Sequence, residues 1–156
     1  MIKYVDTQVV FREFPDEVTL AINLSLCPNN CIGCHSSYLS KDIGDELTND
    51  ALDFLINKNT GITCIGFMGG DNDPVSLLEL IKHVKESTNL NVGWYSGKDD
   101  INKDILSSNL CDYIKIGHYD EKYGPLDKET TNQKLYFLSD TGYKDITYKF
   151  WNNKKY

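Results

Sequence analysis

The sequence predicts an α/β chain, a single domain over residues 1–156 built as an open or partial (β/α) barrel with a mainly parallel sheet. Three observations lead there. Short apolar, β-branched runs alternate with segments of helical periodicity. Connections of that length serve as crossovers between parallel strands. A chain of 156 residues holds about four strand-helix units, too few for a closed eight-unit barrel of roughly 250 residues. The core is expected over residues 17–134, with a C-terminal extension over 135–156.

The elements follow in order. Residues 18–26 (VTLAINLSL) read as a strand, and Cys27-Pro28-Asn29-Asn30 follows with turn chemistry. Thr48 precedes a helical segment, residues 49–56, with Leu52, Leu55 and Ile56 on one face, and residues 57–61 stop it. A second apolar run, residues 62–68, meets Gly69-Gly70. Pro74 suits the first turn of the next helix, in which Leu77, Leu78, Ile81 and Val84 share a face. A strand over 92–95, a short helix over 102–106 and a strand over 112–116 complete the alternation. The tail, with YFL and ITYKFW, alternates less cleanly and reads as an edge strand, a cap or a partner-binding segment.

Composition narrows the function classes. A formal net charge of -7 disfavours nucleic acid, whose binders present a basic face that releases counterions. A small ligand or a protein partner fits better. The first residues lack the pattern of a secretion signal, and nowhere do roughly 18 apolar residues run together. A cytoplasmic protein that does not enter a membrane is expected.

Five cysteines are present, three of them within eight positions, a count and clustering that favour metal or redox chemistry over disulfides. Cys64 and Cys111 each sit in an apolar run and read as small buried hydrophobes. Cys27, Cys31 and Cys34 share one loop, where soft thiolates select zinc, copper or iron–sulfur clusters. Structural zinc wants four closed ligands, and His35, adjacent to Cys34, is an awkward fourth. A ferredoxin-type carrier needs four thiolates per cluster. Three thiolates on a four-iron cluster leave one iron open to a ligand, the logic that separates a catalytic metal site from a closed one. Gly69-Gly70-Asp71 allows close backbone approach beside a carboxylate, although the same residues make an ordinary strand-to-helix turn.

The spacing Cys27-x3-Cys31-x2-Cys34, followed by Phe67-Met68-Gly69-Gly70-Asp71, resembles the signature of the radical S-adenosylmethionine superfamily. The resemblance implies that Cys27, Cys31 and Cys34 ligate a 4Fe-4S cluster, that S-adenosyl-L-methionine binds the open iron, and that Gly33, Cys34 and His35 lie beside it. His35 stands where the superfamily has an aromatic packed near the adenine. Gly69, Gly70 and Asp71 would hold the methionine ammonium. The cofactor would then carry the hard step, a 5′-deoxyadenosyl radical that abstracts hydrogen.

Further segments resemble a narrower family, the activating proteins of anaerobic ribonucleoside-triphosphate reductase. They are residues 92–97 (VGWYSG), with Ser96 near the ribose, residues 111–119 (CDYIKIGHY), and residues 132–136 (NQKLY). The resemblance implies a partner, the large subunit of that reductase, on which a glycyl radical would be formed, and a flavodoxin-like or other electron donor. The chain departs from the family at Ile116, where an aspartate is common. It also carries two extra residues in Asp71-Asn72-Asp73-Pro74, which leaves Asp71 and Asp73 as rival ammonium contacts. A third departure is Lys128-Glu129-Thr130-Thr131 ahead of Asn132. An activase of another glycyl-radical enzyme, of the pyruvate formate-lyase type, and a noncatalytic metal-binding adaptor are the competing expectations.

Overall fold

A computed structural model describes residues 1–28 and 37–151. Its strands are β1 (Lys3–Val10), β2 (Thr19–Leu24), β3 (Asp45–Glu46), β4 (Cys64–Met68), β5 (Asn91–Tyr95), β6 (Tyr113–Ile116), β7 (Lys134–Ser139) and β8 (Gly142–Asp145). Its α-helices are α1 (Asn49–Lys58), α2 (Pro74–Ser87) and α3 (Lys103–Ser108). Single 3-10 turns span Ser37–Ser40 and Thr147–Phe150. Each helix begins where a side chain satisfies otherwise orphaned backbone donors: Thr48 accepts from Ala51 N, Asp73 from Ser76 N, and Asn102 from Asp104 N and Ile105 N.

All eight strands join one sheet in the order β3-β1-β2-β4-β5-β6-β7-β8. The pairs β2–β4, β4–β5 and β5–β6 are parallel, whereas β1–β2, β1–β3, β6–β7 and β7–β8 are antiparallel. This corrects the expected open or partial (β/α) barrel of the radical S-adenosylmethionine type with a mainly parallel sheet: the sheet is mixed, most of its pairings are antiparallel, and the described residues contain only three short helices. The difference comes from segments with little apolar patterning. β1 (KYVDTQVV) and β3 (DE) are polar and mostly not buried, so they carry no alternation to read. β7 and β8 are joined by a tight turn, which only an antiparallel pair permits. They continue the sheet through the segment expected to be an extension.

The three parallel steps β2→β4→β5→β6 each move one place in the same direction. Right-handed crossovers then put every connecting helix on one face. That face is the main core: Leu20, Ile22, Ile65, Phe67, Val92, Trp94 and Ile114 meet Leu52 and Leu55 of α1, Leu77, Leu80, Ile81 and Val84 of α2, and Ile105 of α3. Leu80 is buried on the α2 stripe, while Leu78 is only half-buried.

The opposite face has no α-helix among the described residues, although Ile146 and Phe150 at the C-terminal 3-10 turn pack against it. It is closed by the loop between β1 and β2, whose Phe14 is fully buried and packs with Cys64, Tyr113 and Leu135. Phe14 meets the Tyr95 ring edge-on at 5.1 Å and the Tyr113 ring at 5.1 Å. Gly66 and Gly93 face each other across β4 and β5 and leave the trough that receives Phe14. At the lower end of this face the buried Glu17 accepts from Thr63 Oγ1 (2.6 Å), Asn91 Nδ2 (2.8 Å) and Tyr113 OH (3.0 Å), which offsets the cost of burying a carboxylate.

A Cβ on Gly93 would stand 2.2 Å from Phe14 Cζ, a contact that forces the ring or the strand to move. Gly93→Ala is expected to cost about 2 kcal/mol of stability, measured from the urea midpoint. Phe14→Leu in that background should recover part of the loss. An unchanged midpoint for Gly93→Ala would remove Phe14 as the closure of this face.

Candidate functional site

Because β2, β4, β5 and β6 run parallel, their C-terminal ends share one edge of the sheet, where α/β ligand sites collect. That edge carries Cys27 after β2, Gly69-Gly70-Asp71 after β4, Ser96-Gly97 after β5 and Gly117-His118 after β6. Cys27 is half-buried. Just before it, Leu26 adopts φ 61°, a left-handed conformation that costs a bulky residue about 1–3 kcal/mol. Leu26 N donates to Lys41 O at 3.2 Å and Cys27 N to Leu39 O at 2.9 Å, so the returning chain holds this conformation. Ser25 Oγ, buried at the root of the same loop, has no hydrogen-bond partner among the described residues. Cys31, Gly33, Cys34 and His35 lie outside the described residues. Among the described residues no group of three His, Cys, Asp or Glu is placed to hold a metal ion.

The glycine turn is shaped by its neighbours. Gly69 and Gly70 have φ 121° and 97°, values that favour glycine. Gly69 N donates to Tyr95 O at 3.0 Å, and Trp94 Nε1 donates to Gly69 O at 2.7 Å. The turn is thereby fastened to the end of β5 from both sides.

The two rival aspartates have different partners. Ser96 Oγ donates to Asp71 Oδ1 at 2.6 Å and Gly97 N to Asp71 Oδ2 at 2.8 Å, so Asp71 turns back over the sheet edge. Asp73 instead caps α2, accepting from Ser76 N (3.2 Å) and Ser76 Oγ (2.7 Å), and it also pairs with the amino group of Met1. A cavity of about 410 Å³ opens beside Asp71, Ser96 and Trp94, walled further by Pro74, Lys98 and Asp99. Its groups can accept hydrogen bonds from a cationic or hydroxyl-bearing ligand. A second cavity, of about 820 Å³, lies between the β1–β2 loop, residues 125–127 and the last described residues.

The β6 end is fastened as well. Gly117, at φ 104°, accepts from Gln133 Nε2 at 3.2 Å, and Asn132 Nδ2 donates to His118 O at 3.1 Å. Asn132-Gln133 thus buttresses this turn. Ile116, where the resembled family has an aspartate, packs half-buried on the main core. His118 Nδ1 lies 2.8 Å from Asp99 Oδ1, and this bond holds the Asp99 carboxyl below the usual carboxylate range. His83 lies 2.7 Å from Asp53 and ties α2 to α1, away from this edge.

Cys64 and Cys111 are fully buried. Burial raises the Cys64 thiol well above its ordinary value and pushes Cys111 up to about 12, which keeps both protonated and inert. Reading the residues individually missed Lys115. It occupies an inward position of an apolar strand (YIKI) and is buried; its Nζ donates to Ser96 O at 3.1 Å and Gly117 O at 3.4 Å and lies 5.2 Å from the Tyr95 ring centroid. The signal was a lysine where strand alternation calls for an apolar side chain.

No helix of the described residues is long and apolar enough to cross a membrane. No family model matches the chain, and no curated protein or solved structure matches it.

The hydrogen bond from the chain's amino group lowers the Asp73 pKa most, followed by those from Ser76, bringing it from 3.8 to about 2. Folding therefore favours the ionised form, and its contribution is complete above about pH 4 and disappears as the pH falls toward 2. Asp73→Ala is expected to lose about 1 kcal/mol at pH 7. Urea titrations of both proteins from pH 7 to pH 2 should show the gap closing over that acid range. A gap independent of pH would contradict the capping role.

Proposed function

We propose that this chain is a radical S-adenosylmethionine enzyme that reductively cleaves the cofactor at a 4Fe-4S cluster and generates a glycyl radical on the large subunit of anaerobic ribonucleoside-triphosphate reductase. The observation that supports it most is the gathering of Cys27, Gly69-Gly70-Asp71 and Ser96-Gly97 on one sheet edge, with a cavity at Asp71 and Ser96. These segments are far apart in sequence, and each belongs to a motif that resembles the superfamily. The reading rests on that motif set and its placement, not on the architecture of the sheet.

The residues fit the group they would hold. Three thiols at positions 27, 31 and 34 make a soft donor set suited to iron–sulfur ligation and leave one iron without a protein ligand. When bound, the cluster supplies the electron that breaks a sulfur-carbon bond of the cofactor. The chain's own residues bind and orient. Asp71, fixed by Ser96 and Gly97, would accept from the methionine ammonium, and the Gly69-Gly70 turn is held by Trp94 Nε1 on the Gly69 carbonyl, by Gly69 N on the Tyr95 carbonyl and by Asp73 N on the Gly70 carbonyl. Asp73, occupied with the helix cap, would not take that role. Partner and electron donor follow from the narrower resemblance through residues 92–97, 111–119 and 132–136. A flavodoxin-like protein or another reductant would deliver the electron in the cytoplasm.

Anaerobic reconstitution with iron and sulfide tests this. The protein should acquire broad thiolate-to-iron absorption and release 5′-deoxyadenosine from S-adenosylmethionine under a strong reductant. A glycyl-radical doublet should appear by electron paramagnetic resonance when the reductase is added. Cys27→Ala should abolish cleavage, and Asp71→Ala should weaken cofactor binding more than Asp73→Ala. Zinc as the bound metal without cleavage would leave the adaptor reading. A doublet with pyruvate formate-lyase but not with the reductase would reassign the partner.

A further inference from the structure

An amine buried under a sheet edge is expensive unless its donors are used. Lys115 is 8% exposed, and its Nζ spans two separate strand ends, bonding the carbonyl of Ser96 after β5 and that of Gly117 after β6. Its stem lies on the helix-free face, where Tyr95 stacks beneath it. The backbone is tied in the other direction too: Ser96 N donates to Lys115 O at 2.8 Å, and Gly117 N donates to Lys98 O at 2.6 Å. Ser96 is completely buried, and its hydroxyl is the donor to Asp71 Oδ1. Lys115 therefore grips the peptide group of the residue that orients Asp71.

We propose that Lys115 is a positioning residue for the ligand at this edge: by holding the Ser96 and Gly117 carbonyls together it fixes Ser96 and, through it, the Asp71 carboxylate that accepts the cationic end of the ligand. The proposal rests on the reading of S-adenosylmethionine as that ligand, with Asp71 as its ammonium contact. A leucine or methionine would fill the same space on the sheet and keep the backbone bonds, but would lose the side-chain tie to the Ser96 and Gly117 carbonyls. The lysine adds a crosslink between the ends of β5 and β6 that the core does not need. A well-aimed hydrogen bond to a charged group is worth about tenfold or more in affinity, and one hydrogen bond separates Asp71 from the residue Lys115 holds.

The test uses the reconstituted, cluster-loaded protein without reductant, so that S-adenosylmethionine binds and is not consumed, with affinity measured by anaerobic calorimetry. Lys115→Met should weaken binding by about tenfold or more, while the rate of 5′-deoxyadenosine formation at saturating cofactor, measured separately with reductant, falls much less. Ser96→Ala should weaken binding as well, and the double variant should be little worse than the poorer single one, because both changes release the same carboxylate. Lys115→Gln, which retains a donor, should recover part of the affinity and replaces Lys115→Met if the latter does not fold. Unaltered affinity in the lysine variant, or losses that add in full, would overturn the positioning role. Failure of the parent protein to bind the cofactor would instead overturn the functional reading on which it rests.

Discussion

Parallel neighbours cannot be joined by a tight turn, so each link from β2 to β4, β5 and β6 must leave one end of the sheet, cross a face and return to the other end. With every step in the same direction, handedness sends all these links across one face. The apolar stripes of α1 and α2 then have one place to go, and the four strand ends are left together at the opposite edge. Cys27, Asp71, Ser96 and Gly117 share one sheet edge for this reason and no local one. Shortening any crossover would separate loops that share no sequence proximity.

The same constraint leaves the second face bare, and the chain closes it with side chains from a hairpin. Phe14 enters the trough of Gly66 and Gly93, with Tyr95 and Tyr113 around it. Tyr95 links this plug to the upper edge: its hydroxyl donates to Glu13 O at 2.6 Å, its carbonyl accepts from Gly69 N, and its ring lies under Lys115. Packing on the helix-free face is therefore mechanically connected to the glycine turn. A perturbation of Phe14 would reach the site through one aromatic ring and not through the main core.

What could be read from the chain follows from where burial writes a pattern. β2, β4, β5 and β6 are buried and apolar, and α1 and α2 carry stripes and caps, so their positions were legible to within a few residues. β1 and β3 are polar pieces at an edge, recruited by pairing with β2 and with each other and not by burial, and no periodicity announces them. Missing them, and missing that β7 turns straight back into β8, produced the expectation of a partial barrel where the sheet is mixed. At the site, the thiols and the glycine turn stood out by spacing. Lys115 was hidden inside an apolar strand segment, because its significance depends on which carbonyls lie above it, and only tertiary structure supplies those.

The two aspartates after the glycine turn show how an apparent departure can be absorbed. A strand-to-helix turn must do two things here: present an acceptor at the sheet edge and satisfy the first amides of α2. With a single acidic residue before the proline, both demands fall on one carboxylate. The two extra residues separate them. Asp73 stands at the N-cap, with Pro74 in the first helical turn where its missing amide costs nothing, and the helix start is complete without Asp71. Asp71 is then free of the capping geometry and is oriented by Ser96 and Gly97 from the neighbouring strand. An acceptor set by a neighbouring strand keeps its aim when the helix end frays. In the proposed reading, with a cationic ligand at this edge, that separation favours Asp71, and it makes the rigidity of the β5 end, where Lys115 bonds the Ser96 carbonyl, the property on which the aim of that carboxylate depends.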